Sequence, residues 1–367
     1  MTTVHPEGDR SPLSSLGNGQ RLGLLAAALL TALSASLTVT HAGAVPAFLA
    51  SGLALAAWAA IVGQATEQLG QRVGPGTTGV LQSALGNLPE LFVGIFALRA
   101  GLITVVQATI VGSVLGNSLL VLGLAFLVGG HRHGTQRFSP EAPRTIATLT
   151  LLAVAALAVP TLAHGLHTPA GAHTDALSVA CAVVLLVIFA LSIPSSLSGG
   201  PPAIPAENEE LRAAAWPLWL AVSVLATAGF GSVFVSDWFV GALKPAISVL
   251  HLSQAFTGLV IVAIAGNAVE NFVGVRFAAR NKPDYAISVI LNSSLQVALG
   301  LTPVLVLLSF FIGGVHFTLV LPPLLVAALG LAAVISAFIV FDGESTWLEG
   351  AALIGLYIMI AASFWWG

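Results

Sequence analysis

The chain has 367 residues, of which 57% are hydrophobic and only 7% charged, with a mean hydropathy of +0.97. A soluble domain carries about 25% charged residues, so this composition excludes a water-soluble globule and implies a polytopic helical membrane protein whose partner is the lipid bilayer. A net charge of −3 and a pI near 6.3 offer nucleic acid nothing, and the lone cysteine, Cys181, excludes an intramolecular disulfide or a thiolate metal cluster.

The stretch before Leu22 is short and polar and does not read as a cleavable signal, because the first apolar run is already of spanning length. Eleven apolar runs follow, each near the ~20 residues that a helix needs to cross a bilayer. They cover 22–40, 46–69, 77–98, 102–129, 144–163, 175–193, 214–241, 255–279, 284–312, 316–340 and 347–366. With this count the basic residues segregate. Arg10, Arg21, Arg72, Arg132, Arg137, Arg144, Arg212, Arg276, Arg280 and Lys282 fall on the N-terminal side, and only Arg99 and Lys244 fall on the other. The positive-inside rule then puts the N-terminus in the cytoplasm and the C-terminus outside.

The third and eighth runs carry one motif twice. Gly86-Asn87-Leu88-Pro89-Glu90 returns 180 residues later as Gly266-Asn267-Ala268-Val269-Glu270, and the register continues with Ser113 over Ser293, Leu115 over Leu295 and Leu119 over Leu299. Five spans separate the copies, an odd number, so they enter the membrane in opposite directions. That is the pattern of inverted-topology repeats, which place a binding site near the midplane. The expected architecture is an all-α membrane protein of eleven transmembrane helices, one N-terminal helix plus two inverted five-helix repeats. Its parts are a tail and first helix (1–43), a first repeat (44–197), a short acidic linker (198–212) and a second repeat (213–367). The linker carries Gly199-Gly200-Pro201-Pro202 and Glu207, Glu209 and Glu210.

Four acids lie within runs: Glu67, Glu90, Asp237 and Glu270. An ionised carboxylate at the centre of a span costs at least ~2.5–3.5 kcal/mol, so it persists only if paired, hydrated or functional. No cation sits mid-span to pair with Glu90 and Glu270; the purely structural alternative is a protonated glutamate hydrogen-bonded between helices. Around the pair, Gly86 and Gly266 weaken the helix and free backbone carbonyls, and Asn87 and Asn267 add amide oxygens. The following spans supply Gln107, Ser113 and Asn117 in one half and Asn292, Ser293, Ser294 and Gln296 in the other. This set of hard oxygens, without histidine or thiolate at membrane depth, suits Ca²⁺ with its 6–8 oxygen ligands better than zinc or copper. Two protons neutralise a carboxylate pair, and so does one Ca²⁺. The empty, doubly negative site is costly to occlude, so exchange rather than uniport is expected, with Ca²⁺ and H⁺ as substrates and no cofactor.

At these residues the sequence resembles the Ca²⁺/H⁺ exchanger family of the calcium/cation antiporter superfamily, over nearly all of residues 44–340. The resemblance runs through Ala65-Thr66-Glu67, Gly79, Gly86-Asn87-x-x-Glu90, Val106-Gln107-Ala108 and Gly112-Ser113 to Asn117 and Leu122-Gly123. It resumes through Ser236-Asp237, Phe256-x-Gly258, Gly266-Asn267-x-x-Glu270, Asn281-Lys282 before Asp284, and Ser293-Ser294-x-Gln296. It implies eleven spans, a secondary transporter rather than an enzyme, Glu90 and Glu270 as central ligands, and gating or cation-access roles for Glu67 and Asp237. Pro89 is closer to the Na⁺/Ca²⁺ exchangers, and Asn271 stands where many proton-coupled members have His. A Na⁺-coupled exchanger is therefore the alternative; a cation channel or an intramembrane hydrolase fits less well. His131 and His133, and His164, His167 and His173, read as loop residues, with a pH sensor or accessory metal site as the sharper reading. The terminal Phe364-Trp365-Trp366 reads as an interfacial anchor. Only two Lys against ten Arg, with abundant Ala and Gly, lean towards a bacterial plasma membrane, with Ca²⁺ extruded from the cytoplasm. The oligomeric state, a homo-oligomer included, stays open.

Overall fold

A computed structural model describes residues 16–73, 85–199, 216–312 and 316–366. The chain is helical almost throughout: α1 (Asn18–Val39), α2 (Ala44–Val73), α3 (Leu88–Arg99), α4 (Ile103–His133), α5 (Glu141–Gly165), α6 (Thr174–Gly199), α7 (Leu218–Leu250), α8 (Gln254–Gly266), α9 (Ala268–Ala279), α10 (Pro283–Ile312), α11 (Pro323–Val340) and α12 (Trp347–Ser363). In lipid every backbone polar group must be satisfied internally, and apolar runs of this length do that as helices. Among the described residues eight helices are long and apolar enough to cross a membrane. The segments Gln254–Gly266 and Glu270–Ala279, bent by 64° where they meet, make a ninth if they form one span, and Trp347–Ser363 is a shorter apolar helix. The first part of the third run, Gly79, Arg212 and nearly all of the linker lie outside the described residues.

Two boundaries differ from the sequence reading. The seventh run continues as helix to Leu250, so Lys244, expected in an outer loop, lies inside α7, which ends only where His251 turns to φ 54°. The tenth run was expected to be helical from 316, but α11 begins at Pro323 and residues 316–322 form an extended strap. The reason is local. The alternate N–H groups of Phe317, Leu319 and Leu321 donate to the buried hydroxyls of Ser309 (3.0 Å), Ser178 (2.9 Å) and Thr161 (2.8 Å). The Gln107 amide adds a bond to the Val320 carbonyl at 2.8 Å. Side chains of α5, α6, α4 and α10 thereby do for this strand what a neighbouring strand would do in a sheet. At one edge of the strap His316 pairs with Asp175 at 2.9 Å.

A second strap follows α4 on the other side of the repeat register. Strand β1 (Gln136–Arg137) pairs antiparallel with β2 (Glu344–Ser345), a small departure from an all-α chain. Buried Gln136 donates to the Ala278 carbonyl (3.1 Å) and to Asn281 Oδ1 (2.9 Å), and His133 Nε2 lies 3.0 Å from the Ala279 carbonyl. The strap thus satisfies the carbonyls that end α9, where they lack intrahelical partners. Its other links are exposed: Arg137 pairs with Glu344 at 3.0 Å, and the Ser139 N–H donates to Asp284.

Helices α2 and α7 lie along each other. Phe48 stacks on Phe239 with centroids 4.9 Å apart, Gly52 receives Phe239, and Gly231 receives the Trp58 ring. Helix α4 crosses α8 backbone to backbone. A Cβ on Gly112 would meet the Leu259 carbonyl, and one on Gly258 would come within 2.5 Å of the Val105 carbonyl. Such glycine contacts are how membrane helices approach closely without a hydrophobic driving force between them.

Candidate functional site

Each motif copy stands at the start of a helix. Gly86 and Asn87 form a turn before α3, and α8 ends at Gly266 before Asn267 and α9. The two asparagines share one backbone conformation, φ −97°, ψ 21° at Asn87 and φ −88°, ψ 22° at Asn267. Each carbonyl accepts the first helical bond of its second half, from Leu91 and from Asn271, both at 3.0 Å. Pro89, which has no N–H to waste, sits in the first turn of α3, where proline suits a helix start. Glu90 and Glu270 therefore each occupy the first turn of a half-helix. Unpaired N–H groups and the positive end of the helix dipole favour a carboxylate there by about 0.3–1 kcal/mol or more.

The two copies touch. Glu90 is 5% exposed, and a Cβ built on Gly266 would stand 2.8 Å from Glu90 Cγ and 3.0 Å from Oε1. The stem of the first glutamate thus lies against the backbone of the second motif, in space that only glycine leaves. Half-buried Glu270 is near enough for its charge to act on Glu90.

Polar side chains from four helices close around this contact. Asn117, fully buried, donates to Asn267 Oδ1 at 3.1 Å and to Ser293 Oγ at 2.9 Å. Asn267 donates in turn to Ser113 Oγ at 2.9 Å and to the Ala263 carbonyl at 2.9 Å. Asn87 donates to Gln296 Oε1 at 3.2 Å. Of the residues singled out by sequence, Glu90 meets Gly266, Asn267 bonds Ser113 and is tied to Ser293 through Asn117, and Asn87 pairs with Gln296; Glu270 lies in the first turn of α9, and Gly86 forms part of the turn before α3.

Glu67 and Asp237 are exposed on α2 and α7, outside this cluster. Each follows a buried hydroxyl, Thr66 or Ser236, that has no hydrogen-bond partner. Unpartnered buried oxygens are rare in native proteins and call for an explanation. Glu90 Oε2, Thr109 Oγ1 and Asn117 Oδ1 share the property in this region, as do Asn271 Oδ1, Ser345 Oγ and Tyr357 Oη elsewhere. Glu90 and Thr109 also line one small enclosed space, walled by Val93, Val105 and Leu305. The Glu90 and Thr109 oxygens are available to a hard cation or to protons without breaking a protein bond. Among the described residues no group of three or more His, Cys, Asp or Glu forms a separate metal cluster, the loop histidines included.

Sequence reasoning included Asn117 in the oxygen inventory but not its position as the hub between the halves, and it passed over Thr109. The repeat could not flag either residue, since Val297 and Val289 stand 180 positions on. One indirect signal is structural. The π-turn at Gly116–Val121 in α4 has its counterpart at Val297–Leu301 in α10, in the same register, and such turns concentrate at functional sites.

Comparison with known proteins gives the family and the fold. A family model described as sodium/calcium exchanger protein matches residues 43–196 and 220–366. The chain is 34% identical over 345 residues to a Ca(2+)/H(+) antiporter of Aphanothece halophytica, covering 88% of this chain and 91% of that protein. It is 35% identical over 347 residues to a Ca(2+)/H(+) antiporter of Synechocystis, covering 88% and 91%. Among solved structures, native YfkE superposes with a TM-score of 0.80 at 29% identity, over 94% of this chain and 99% of that one.

Proposed function

This chain belongs to the sodium/calcium exchanger protein family, among its Ca²⁺/H⁺ exchangers, and on that premise we propose that it exchanges cytoplasmic Ca²⁺ for H⁺ by alternating access at a site built on Glu90 and Glu270. The observation that carries this reading is the contact between motifs, in which buried Glu90 rests on Gly266 and Asn117 ties Asn267 to Ser293. One Ca²⁺ or two protons neutralise the pair, and only the neutral loaded forms cross the occluded state. Asn87, Asn267, Ser113, Ser293 and Gln296, with carbonyls freed at Gly86 and Gly266, supply or position the remaining oxygens.

The proposed architecture has eleven spans, one N-terminal helix (1–43) followed by inverted repeats at 44–197 and 213–367 around the linker at 198–212. Matching backbone angles at Asn87 and Asn267, and π-turns near 180 residues apart, support it. The arginine distribution supports a cytoplasmic N-terminus in a bacterial plasma membrane. Glu67 and Asp237, exposed beside unpartnered Thr66 and Ser236 on the paired helices α2 and α7, are assigned to cation access from opposite sides.

Pro89 favours one second reading, Na⁺-coupled exchange. Ca²⁺ flux into proteoliposomes with a pH gradient and a Na⁺ gradient imposed separately distinguishes the two. The proposal expects uptake under the pH gradient alone, abolished by Glu90→Gln or Glu270→Gln. Uptake driven by Na⁺ alone would replace it with the second reading.

A further inference from the structure

Apart from the contact between Glu90 and Gly266, a groove of about 550 Å³ opens between the last turns of α4 and the flank of α9. That volume lies in the range of small-molecule sites, about 300–1,000 Å³. Its wall is built from one face of each helix: Val128 and Arg132 are four residues apart on α4, and Asn271, Phe272, Val275 and Arg276 recur at three- and four-residue spacing on α9. Most of the lining is apolar, and Phe272 is 67% exposed within it.

The two arginines are the distinguishing feature. Among the described residues neither Arg132 nor Arg276 forms an ion pair; Arg276 only lies over the Phe272 ring, 5.9 Å from its centroid. Glu344 of the neighbouring strap is engaged by Arg137, and Asp284 at the start of α10 accepts the Ser139 N–H. An apolar groove between membrane helices that carries two free guanidinium groups has a definite complement: an acyl chain continuous with a phosphate. Guanidinium forks match phosphate oxygens, and basic pockets between transmembrane helices select anionic headgroups. The same charges argue against a Ca²⁺ route, since two guanidinium groups repel a divalent cation.

We propose that this groove binds an anionic phospholipid, with its phosphate between Arg132 and Arg276 and an acyl chain over Val128, Phe272 and Val275. Because Glu270 lies in the first turn of α9, the bound lipid braces the glutamate-bearing helix against α4. The lipid belongs to the cytoplasmic leaflet under the orientation proposed above, but its binding does not depend on which ions are exchanged.

The test titrates detergent-purified protein with phosphatidylglycerol, with phosphatidylcholine of the same chains and with soluble glycerol 3-phosphate, reading bound lipid by native mass spectrometry and the melting-temperature shift. Saturable binding and a rise in melting temperature are expected with phosphatidylglycerol alone. The double variant Arg132→Gln/Arg276→Gln should weaken that binding on the order of thirtyfold. Val275→Trp, which fills the groove but keeps both arginines, should weaken it too, while Arg99→Gln/Lys244→Gln should leave it intact. Equal binding of phosphatidylcholine, a full shift from glycerol 3-phosphate, or undiminished phosphatidylglycerol binding by either groove variant would overturn the proposal. Because no transport is measured, the assignment stands or falls apart from the Ca²⁺/H⁺ reading.

Discussion

Replacing Gly266 with alanine adds one methyl group where the two motifs meet. That carbon would stand 2.8 Å from Glu90 Cγ and 3.0 Å from Oε1. Carbon atoms in ordinary contact sit about 3.5–4.0 Å apart, so the Glu90 stem must withdraw by about 0.7–1.2 Å. Overpacking of this kind costs about 1–3 kcal/mol, and alanine's better helix propensity returns up to about 1 kcal/mol. The protein should therefore stay folded, with only a small drop in melting temperature. Function should suffer far more, because misplacing a reacting group by about 1 Å costs on the order of a hundredfold. The assay is initial Ca²⁺ uptake into proteoliposomes under a pH gradient, normalised to reconstituted protein. Gly330→Ala is the control, since nothing lies within 4 Å of a Cβ there. A folded Gly266→Ala protein that transports at the Gly330→Ala rate would refute the idea that Glu90 must lie against the second motif.

Other substitutions separate structure from transport. Asn117→Ala removes both bonds of the hub and should destabilise by about 1–3 kcal/mol, read as a lowered melting temperature, whereas Ser118→Ala, whose hydroxyl bonds only the Val114 carbonyl, should cost less. Thr109→Val deletes a buried hydroxyl that has no partner, so thermal stability should hold or rise while Ca²⁺ affinity falls; calorimetric titration with Ca²⁺ measures the second effect. In the strap, Gln136→Ala breaks two bonds of a buried amide and should cost about 1–3 kcal/mol, while Arg137→Ala, which loses an exposed ion pair, should cost less than about 1 kcal/mol.

Much of this was legible from residues alone, for a physical reason: in lipid the choice of secondary structure is nearly forced. Apolar runs therefore read as helices, of which eight, or nine with the bent pair, are of spanning length among the described residues, and the doubled Gly-Asn-x-x-Glu marks where α3 begins and where α8 gives way to α9. What pattern could not supply was whatever depends on geometry between halves. Lys244 falls in a loop beyond the seventh run on composition, yet α7 continues through it to Leu250. Residues 316–322 looked like helix because they are apolar, but hydroxyls on three other helices take up their N–H groups. Strand pairing between Gln136–Arg137 and Glu344–Ser345 joins segments 208 residues apart and leaves no mark on local composition. Asn117 and Thr109 escaped for another reason. A repeat highlights what both halves share, and these two residues have valines at the equivalent positions. The asymmetry between halves is itself informative, since Asn117 reaches across to bond Asn267 and Ser293 of the second half.

The central claim is that the same two carboxylates hold protons and Ca²⁺ in turn. Counting protons released into weakly buffered solution as Ca²⁺ binds the purified protein tests it directly. Wild-type protein should release protons in proportion to Ca²⁺ bound, approaching two per ion as the pH is lowered, and Glu90→Gln and Glu270→Gln should each lose that release. Ca²⁺ binding without proton release, or undiminished release from either glutamine variant, would contradict the account.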